Sequence, residues 1–441
     1  MSDAPPPQQV PARSEQAIVW LITAVQFVNI LDFVMVMPMG PDFAKALAIP
    51  ESQLGLVGGA YTAAAAVAGL VGSLFLDRFD RRKALGVSLA GLMLGTLAGG
   101  FAVGLKTLLA ARVLAGMFGG PATSMSISII SDLIPNERRG RALGTVMSAF
   151  SVASVVGVPM GLWLAEVLGW RAPFFAVASM GLLVAVGAVT LLPPMKKHLE
   201  AQAAGEPVGT VELLRRPTVW FSFLLTAAVM MAGFSIIPNI SAYLQGNLGY
   251  PRSGLKWLYL VGGMASYVSI RLVGGLVDRL GAFRVGTFGS ALVAVTTYAF
   301  FYEHVSWFHP MAFFVVFMSA MAFRNVSHTT LTSKVPGPRE RARFQSFQSA
   351  VQHAASAAGA FLSSQLLSTV PLAGPGGAMV RDEHGRVLVK LVGMPSVAAF
   401  SIALSASLPF LFRRVEKAVE GAGPARAAAA GKPAGGWQTL K

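Results

Sequence analysis

Twelve runs of apolar residues constrain this chain more than any other feature: roughly 17–39, 53–76, 84–104, 107–132, 141–166, 171–192, 218–245, 254–277, 283–302, 308–333, 343–369 and 391–412. A helix needs ~20 apolar residues to cross the hydrocarbon core of a bilayer. Runs of this length fit helices, which satisfy every backbone amide inside their own segment, and lipid allows little else. The expected fold class is therefore an all-α membrane protein with twelve transmembrane helices. Composition agrees, since 12% of the 441 residues are charged where a soluble domain carries ~25%. The first run is too long for a secretory leader and has only Arg13 ahead of it, so it is expected to stay as a span.

An even number of spans puts both termini on one side, and the charges choose that side. With both termini in the cytoplasm, the inner loops and tails hold 24 of the 35 Lys and Arg, the outer loops hold 8, and Arg112, Arg271 and Arg324 lie within runs. This asymmetry predicts cytoplasmic termini, and the expected location is a bacterial inner membrane. The net charge of +15 is then mainly a topology device. Its scatter over short loops argues against nucleic acid as a partner. There is no Cys, and the six His (198, 304, 309, 328, 353 and 384) show no ligand spacing, so neither a disulfide nor a metal site is expected. No G-x-x-x-x-G-K-[ST] loop occurs, which argues against ATP as the energy source. Residues 1–14 and 415–441 read as disordered cytoplasmic tails and 194–217 as a cytoplasmic linker. In the long external loop 371–390, Val380 to Val387 suggests a small hairpin around a polar turn.

The charge burst Gly72-Ser73-Leu74-Phe75-Leu76-Asp77-Arg78-Phe79-Asp80-Arg81-Arg82-Lys83 returns 201 residues later as Gly274-Gly275-Leu276-Val277-Asp278-Arg279-Leu280-Gly281. Pro135 to Arg138 maps onto Pro336 to Arg339 at the same offset. Two landmarks sharing one offset indicate an internal duplication. The first copy resembles the G-x-L-a-D-R-x-G-R-R loop between helices 2 and 3 of the major facilitator superfamily, although Asp80 stands where the pattern has glycine. The second copy has Gly281 there but Ala282 and Phe283 in place of the paired arginines. The resemblance implies two pseudo-twofold six-helix bundles, 15–193 and 218–414, rocking about a central site. It also implies a cytoplasmic gate of Asp77, Arg78, Arg81, Arg82, Asp278 and Arg279, with Asp77 latching near helix 11 and Asp278 facing the start of helix 5.

Ionisable groups within a bilayer are costly and mark function by default. Helix 1 carries Gln26, Asn29 and Asp32, and helix 4 carries Arg112 in Arg112-Val113-Leu114-Ala115-Gly116, similar to the superfamily's R-x-x-x-G pattern. Asp32 and Arg112 are the expected proton-coupling pair. Further residues are expected along the substrate path: Asn239, Tyr267, Arg271, Arg324, His328, Gln352 and Ser356 in the second half, with Gln26 and Asn29 in the first. Gln345, Gln348 and His353 extend the polar stripe of helix 11, and Tyr267 and Arg271 at i, i+4 form a candidate cation–π pair. The helix 5 motif Gly157-Val158-Pro159-Met160-Gly161, followed by Gly169-Trp170-Arg171, resembles the drug:proton antiporter branch and its sugar-efflux-like members. Gly157 and Gly161 also suit plain close packing. The expected function is proton-coupled efflux of a small organic molecule by a monomer in the lipid bilayer, without a cofactor. An importer of the same fold and a non-transporting sensor are the alternatives.

Overall fold

The computed structural model describes residues 12–75, 79–195, 210–303, 309–337, 341–372, 380 and 389–429. The first bundle holds span 1 (Ala12–Val36), span 2 (Leu54–Phe75), span 3 (Arg81–Gly100), span 4 (Leu105–Leu133), span 5 and span 6 (Ala172–Leu191). Span 5 runs Asn136–Val152, loosens into a π turn at Ala153–Gly157 and continues as Val158–Leu168. Pro159, with no amide hydrogen to give, follows the π turn directly, the kind of local adjustment that accommodates a proline in lipid.

The second bundle holds span 7, span 8 (Leu255–Leu280), span 9 (Ala282–Thr297 with a π turn at Tyr298–Tyr302), span 10 (Pro310–Ser333), span 11 (Arg341–Leu366) and span 12 (Met394–Ala429). Span 7 is broken: Pro217–Ile236 and Ile240–Gly246 flank a 3₁₀ turn at Ile237–Asn239 containing Pro238. Eleven helices among the described residues are long and apolar enough to cross a membrane. Span 11 is the helix that falls short, because Gln345, Gln348, Gln352 and His353 occupy its length. Its neighbours are span 2 across the seam and span 7 in its own bundle, so protein rather than lipid receives much of its surface.

Several boundaries differ from the sequence reading. Span 1 starts at Ala12, inside the segment expected to be a disordered tail. Span 12 runs to Ala429 rather than stopping near 414, because Val415 is still fully buried and Glu416 reaches span 9. The linker contains a helical turn, Thr210–Leu214. The external loop is flanked by a strand pair, β1 (Ser368–Pro371) antiparallel to β2 (Val389–Val392) with Ser368 opposite Val392, while the hairpin expected at Val380 to Val387 lies, after Val380, outside the described residues.

The core shows how the bundles meet. Toward the face opposite the termini a single apolar cluster crosses the seam, joining Leu31, Val57 and Phe174 of one bundle to Ile236, Phe313 and Val397 of the other. Toward the termini the core divides into two, one around Ile22, Leu89 and Ile129 and one around Leu225, Val277 and Phe344. Small residues make the crossing close. A Cβ on Gly55 of span 2 would stand 2.3 Å from the Ala360 carbonyl oxygen of span 11, so only glycine permits this approach.

Candidate functional site

The first bundle encloses a polar cluster one to two turns below the face opposite the termini. Asp32 is four residues from the end of span 1 and Arg112 seven residues into span 4, which places both within ~6–10 Å of that end. Arg112 Nη1 donates to both Asp32 carboxylate oxygens at 3.1 Å, and Nη2 stands 3.4 Å from the Asp32 carbonyl oxygen. Both side chains are at most 1% exposed. The Thr96 hydroxyl of span 3 lies 2.8 Å from Asp32 Oδ1 and 2.9 Å from the Leu92 carbonyl oxygen. It has a single proton to give. With Asp32 ionised that proton points at the carboxylate. With Asp32 protonated it can turn to Leu92 while the hydroxyl oxygen accepts from the new acid.

Span 2 closes over this cluster. The Tyr61 ring lies under the Arg112 guanidinium at 4.7 Å, and its hydroxyl donates to Asn29 Oδ1 at 2.9 Å. Asn29 Nδ2 donates in turn to the Gly119 carbonyl and to Thr123 Oγ1. A Cβ on Gly116 would stand 2.2 Å from the Tyr61 carbonyl oxygen. The glycine four residues beyond Arg112 therefore lets the Tyr61 backbone close on span 4 and puts the ring within cation–π reach. Phe33 stacks on Tyr61 at 5.1 Å and on Phe234 of span 7 at 5.8 Å, linking this cluster to the other bundle. Gln26 is buried with Oε1 unpartnered.

The second bundle has a different arrangement between spans 7, 10 and 11. His328 Nε2 lies 2.8 Å from Thr226 Oγ1, and Gln348 Nε2 donates to the same hydroxyl. Arg324, one turn before His328, is wholly buried, and Nη2 reaches Met321 Sδ at 2.8 Å. Asn239 is buried at the break in span 7 and donates to the Ser235 carbonyl and Ser363 Oγ. Ser356 is buried and bonds the Gln352 carbonyl, while Gln352 itself is exposed. Arg271, exposed on span 8, stacks over Tyr267 at 4.7 Å. The helix 5 glycines face span 1: a Cβ on Gly157 would stand 2.7 Å from Leu31 Cδ1, and one on Gly161 3.8 Å from Met35 Cβ. The motif thus packs beside the helix that carries Asp32.

At the terminal face Asp77 and Arg78 lie outside the described residues. Arg81 pairs with Asp132 at 2.8 Å and Arg82 reaches the Leu192 carbonyl, both within the first bundle. Asp278 and Arg279 are exposed at the end of span 8. Arg138, next to the segment expected to receive Asp278, pairs with Glu15 at 3.0 Å. On the opposite face a set of polar contacts crosses the seam. Arg252 forks onto both Asp42 oxygens at 2.6 Å and also reaches the Leu162 carbonyl, Lys256 pairs with Glu166 at 2.9 Å, and the Ser52 amide donates to Thr369. Nothing in the spacing announced this clamp, since Arg252 and Lys256 read only as external loop charges. Thr96, Tyr61, Thr226 and Gly233 were likewise not singled out, because a lone polar or small residue in an apolar run carries no periodic signal.

Relatives share this architecture. A D-xylose–proton symporter has the same fold, with a TM-score of 0.70 at 14% identity over 89% of this chain and 97% of that one. A chloramphenicol resistance protein of Streptomyces lividans is 31% identical over 54% of this chain and 61% of its own length. A purine ribonucleoside efflux pump of Escherichia coli O1:K1 / APEC is 28% identical over 60% of this chain and 64% of its own length. The chain thus spans less than two thirds of the curated relatives it matches. Residues 22–360 match the family description of the Major Facilitator Superfamily, and with twin helical bundles around buried polar clusters the chain belongs to that superfamily, as a multi-pass membrane protein of a transporter family and not an enzyme.

Proposed function

We propose that this protein is a proton-coupled efflux antiporter for a small organic molecule, sited in a bacterial inner membrane with both termini cytoplasmic. The observation that carries the reading is the Asp32–Arg112–Thr96 cluster. It is a carboxylate shut away from water, held by a guanidinium on a different helix and by a hydroxyl that can switch between donating to the anion and accepting from the acid. The adjacent guanidinium is the charge-assisted hydrogen-bond partner of the carboxylate anion. A shift of span 4 relative to span 1 that lengthens the 3.1 Å contact tips the balance toward proton uptake, and its return expels the proton. Coupled to exchange of the two bundles about their seam, this moves a proton inward and a substrate outward. The core that is continuous at one face and divided at the other fits a state closed to the outside. Export as the direction draws on the two curated relatives, whose names speak of resistance and efflux.

The test is transport by purified protein in liposomes under an imposed pH gradient, with chloramphenicol and inosine as first cargoes, comparing the wild type with Asp32→Asn. The variant should lose pH-driven flux while downhill exchange continues. Full pH-driven flux in Asp32→Asn would remove Asp32 from coupling. Downhill exchange indifferent to pH in the wild type would point to a facilitator, and no flux of any cargo to a sensor.

A further inference from the structure

The second bundle holds a buried cation that meets no carboxylate among the described residues. Arg324 is fully buried, and among those residues Nε and Nη1 have no hydrogen-bond partner while Nη2 meets the Met321 thioether. It sits in the middle of its 24-residue helix, nine residues from Ser333, and so ~14 Å from the nearer end. Residues 218–414 contain Asp278, Glu303, Glu340, Asp382 and Glu383 as their only carboxylates; Asp278 lies in the last turn of span 8 and Glu303 just after the π turn of span 9, and the other three lie outside the described residues. Glu416 and Glu420 lie late in span 12, and Asp32 is committed to Arg112. A guanidinium this deep keeps its charge, and an unpaired ion away from water is strongly unfavourable. Such a residue persists where something outside the fold supplies the anion.

The surroundings fit that role. One turn along span 10, buried His328 leaves Nδ1 without a partner among the described residues, and buried Gln348 of span 11, which meets His328 at the shared Thr226 hydroxyl, leaves Oε1 without one. On the facing helix Gly233 presents no side chain, its missing Cβ lying 3.3 Å from Arg324 Nη2, with Met321 and Ile237 as apolar walls. A planar fork of free donors, flanked by one further acceptor and one ring nitrogen, is matched by a carboxylate with a hydroxyl or amino group beside it.

We infer that Arg324, with His328 and Gln348, is the anion subsite of the transport path, and that the cargo is a small organic acid whose carboxylate pairs with Arg324 and whose body lies on apolar side chains. This deepens the transporter reading and rests on it. The site is shut in the present state and lies between spans 7, 10 and 11 of one bundle, so cargo reaches it when those helices part. It lies in the terminal half of the second bundle, whereas the Asp32 cluster lies in the opposite half of the first, so the groups taking cargo and proton occupy separate helices.

The test is equilibrium binding to the full chain in lipid nanodiscs, by calorimetry and thermal melting, using acetate, benzoate and salicylate beside acetamide, benzamide and salicylamide. At least one acid should bind tenfold or more tightly than its amide. Arg324→Gln should abolish that preference, and Arg324→Lys should keep part of it. Without ligand, Arg324→Gln should fold and melt at or above the wild-type temperature, because it removes an unpaired buried charge. The inference falls if no acid outbinds its amide, if Arg324→Gln keeps the preference, or if Arg324→Gln fails to fold, which would make the cation structural. Acid binding without proton-driven flux would retain the site and overturn the antiporter. Proton-driven flux of uncharged compounds, unchanged in Arg324→Gln, would do the reverse.

Discussion

Each bundle buries one arginine completely, yet Arg112 forks onto a carboxylate while Arg324 meets a thioether. The two bundles descend from one duplicated plan, with landmarks still 201 residues apart, so the scaffold did not require the difference. The paired arginine ties spans 1, 3 and 4 together and has a titratable partner. The other has two donor nitrogens, Nε and Nη1, without a partner among the described residues. On the proposed function, the two halves of a duplicated plan divide labour, one holding the proton site and the other the ligand site, within one helical frame. The same division shows at the turn. Asp80 caps span 3 by accepting from the Arg82 amide at 2.9 Å, whereas Gly281 at the equivalent place turns with φ +87° and the Phe283 amide is met by Glu416 of span 12.

The contrast breaks most sharply on stability. Asp32→Ala should cost ~3–5 kcal/mol because it strands Arg112, while Arg324→Gln should cost nothing. Chemical unfolding in detergent, with Asp32→Ala/Arg112→Leu completing a double-mutant cycle, measures both. Equal penalties for the two single variants would mean that Arg324 has an unrecognised anion inside the fold. Next comes the seam. Arg252→Ala removes a two-pronged charged contact with Asp42, each side chain about one-fifth exposed, and should weaken the closed face by ~1.5–3 kcal/mol. Since the chain has no native cysteine, a Ser52→Cys reporter, buried at that seam, should then react faster with an impermeant thiol reagent. An unchanged rate would show that the clamp does not hold this face. Smaller still, Asp80→Ala should lose a helix cap worth ~0.5–2 kcal/mol, and Asp80→Gly only a few tenths. Gly281→Ala should cost ~1 kcal/mol or more, because φ +87° with ψ 153° is a backbone region essentially confined to glycine. Thermal melts of the three resolve whether the halves solve one turn in two ways. Asp80→Gly as damaging as Asp80→Ala would refute that.

The existence of twelve helices, their order and their two-fold repetition were determined by the sequence alone, because bilayer thickness sets helix length and lipid forbids unsatisfied backbone. The charged partners within the first bundle were also legible: a carboxylate and a guanidinium in two apolar runs of one bundle have few alternatives, and depth along the helix could be counted at a fixed rise per residue. What the tertiary structure alone decided depends on rotation and approach between helices that are far apart in sequence. Thr96 became a partner of Asp32 because span 3 turns that face inward, Tyr61 lies under Arg112 because Gly116 lets a backbone come close, and Arg252 meets Asp42 across 210 residues. That Arg324 meets a thioether and no carboxylate among the described residues was equally invisible, since a missing contact has no motif and is found only from the neighbours of the side chain.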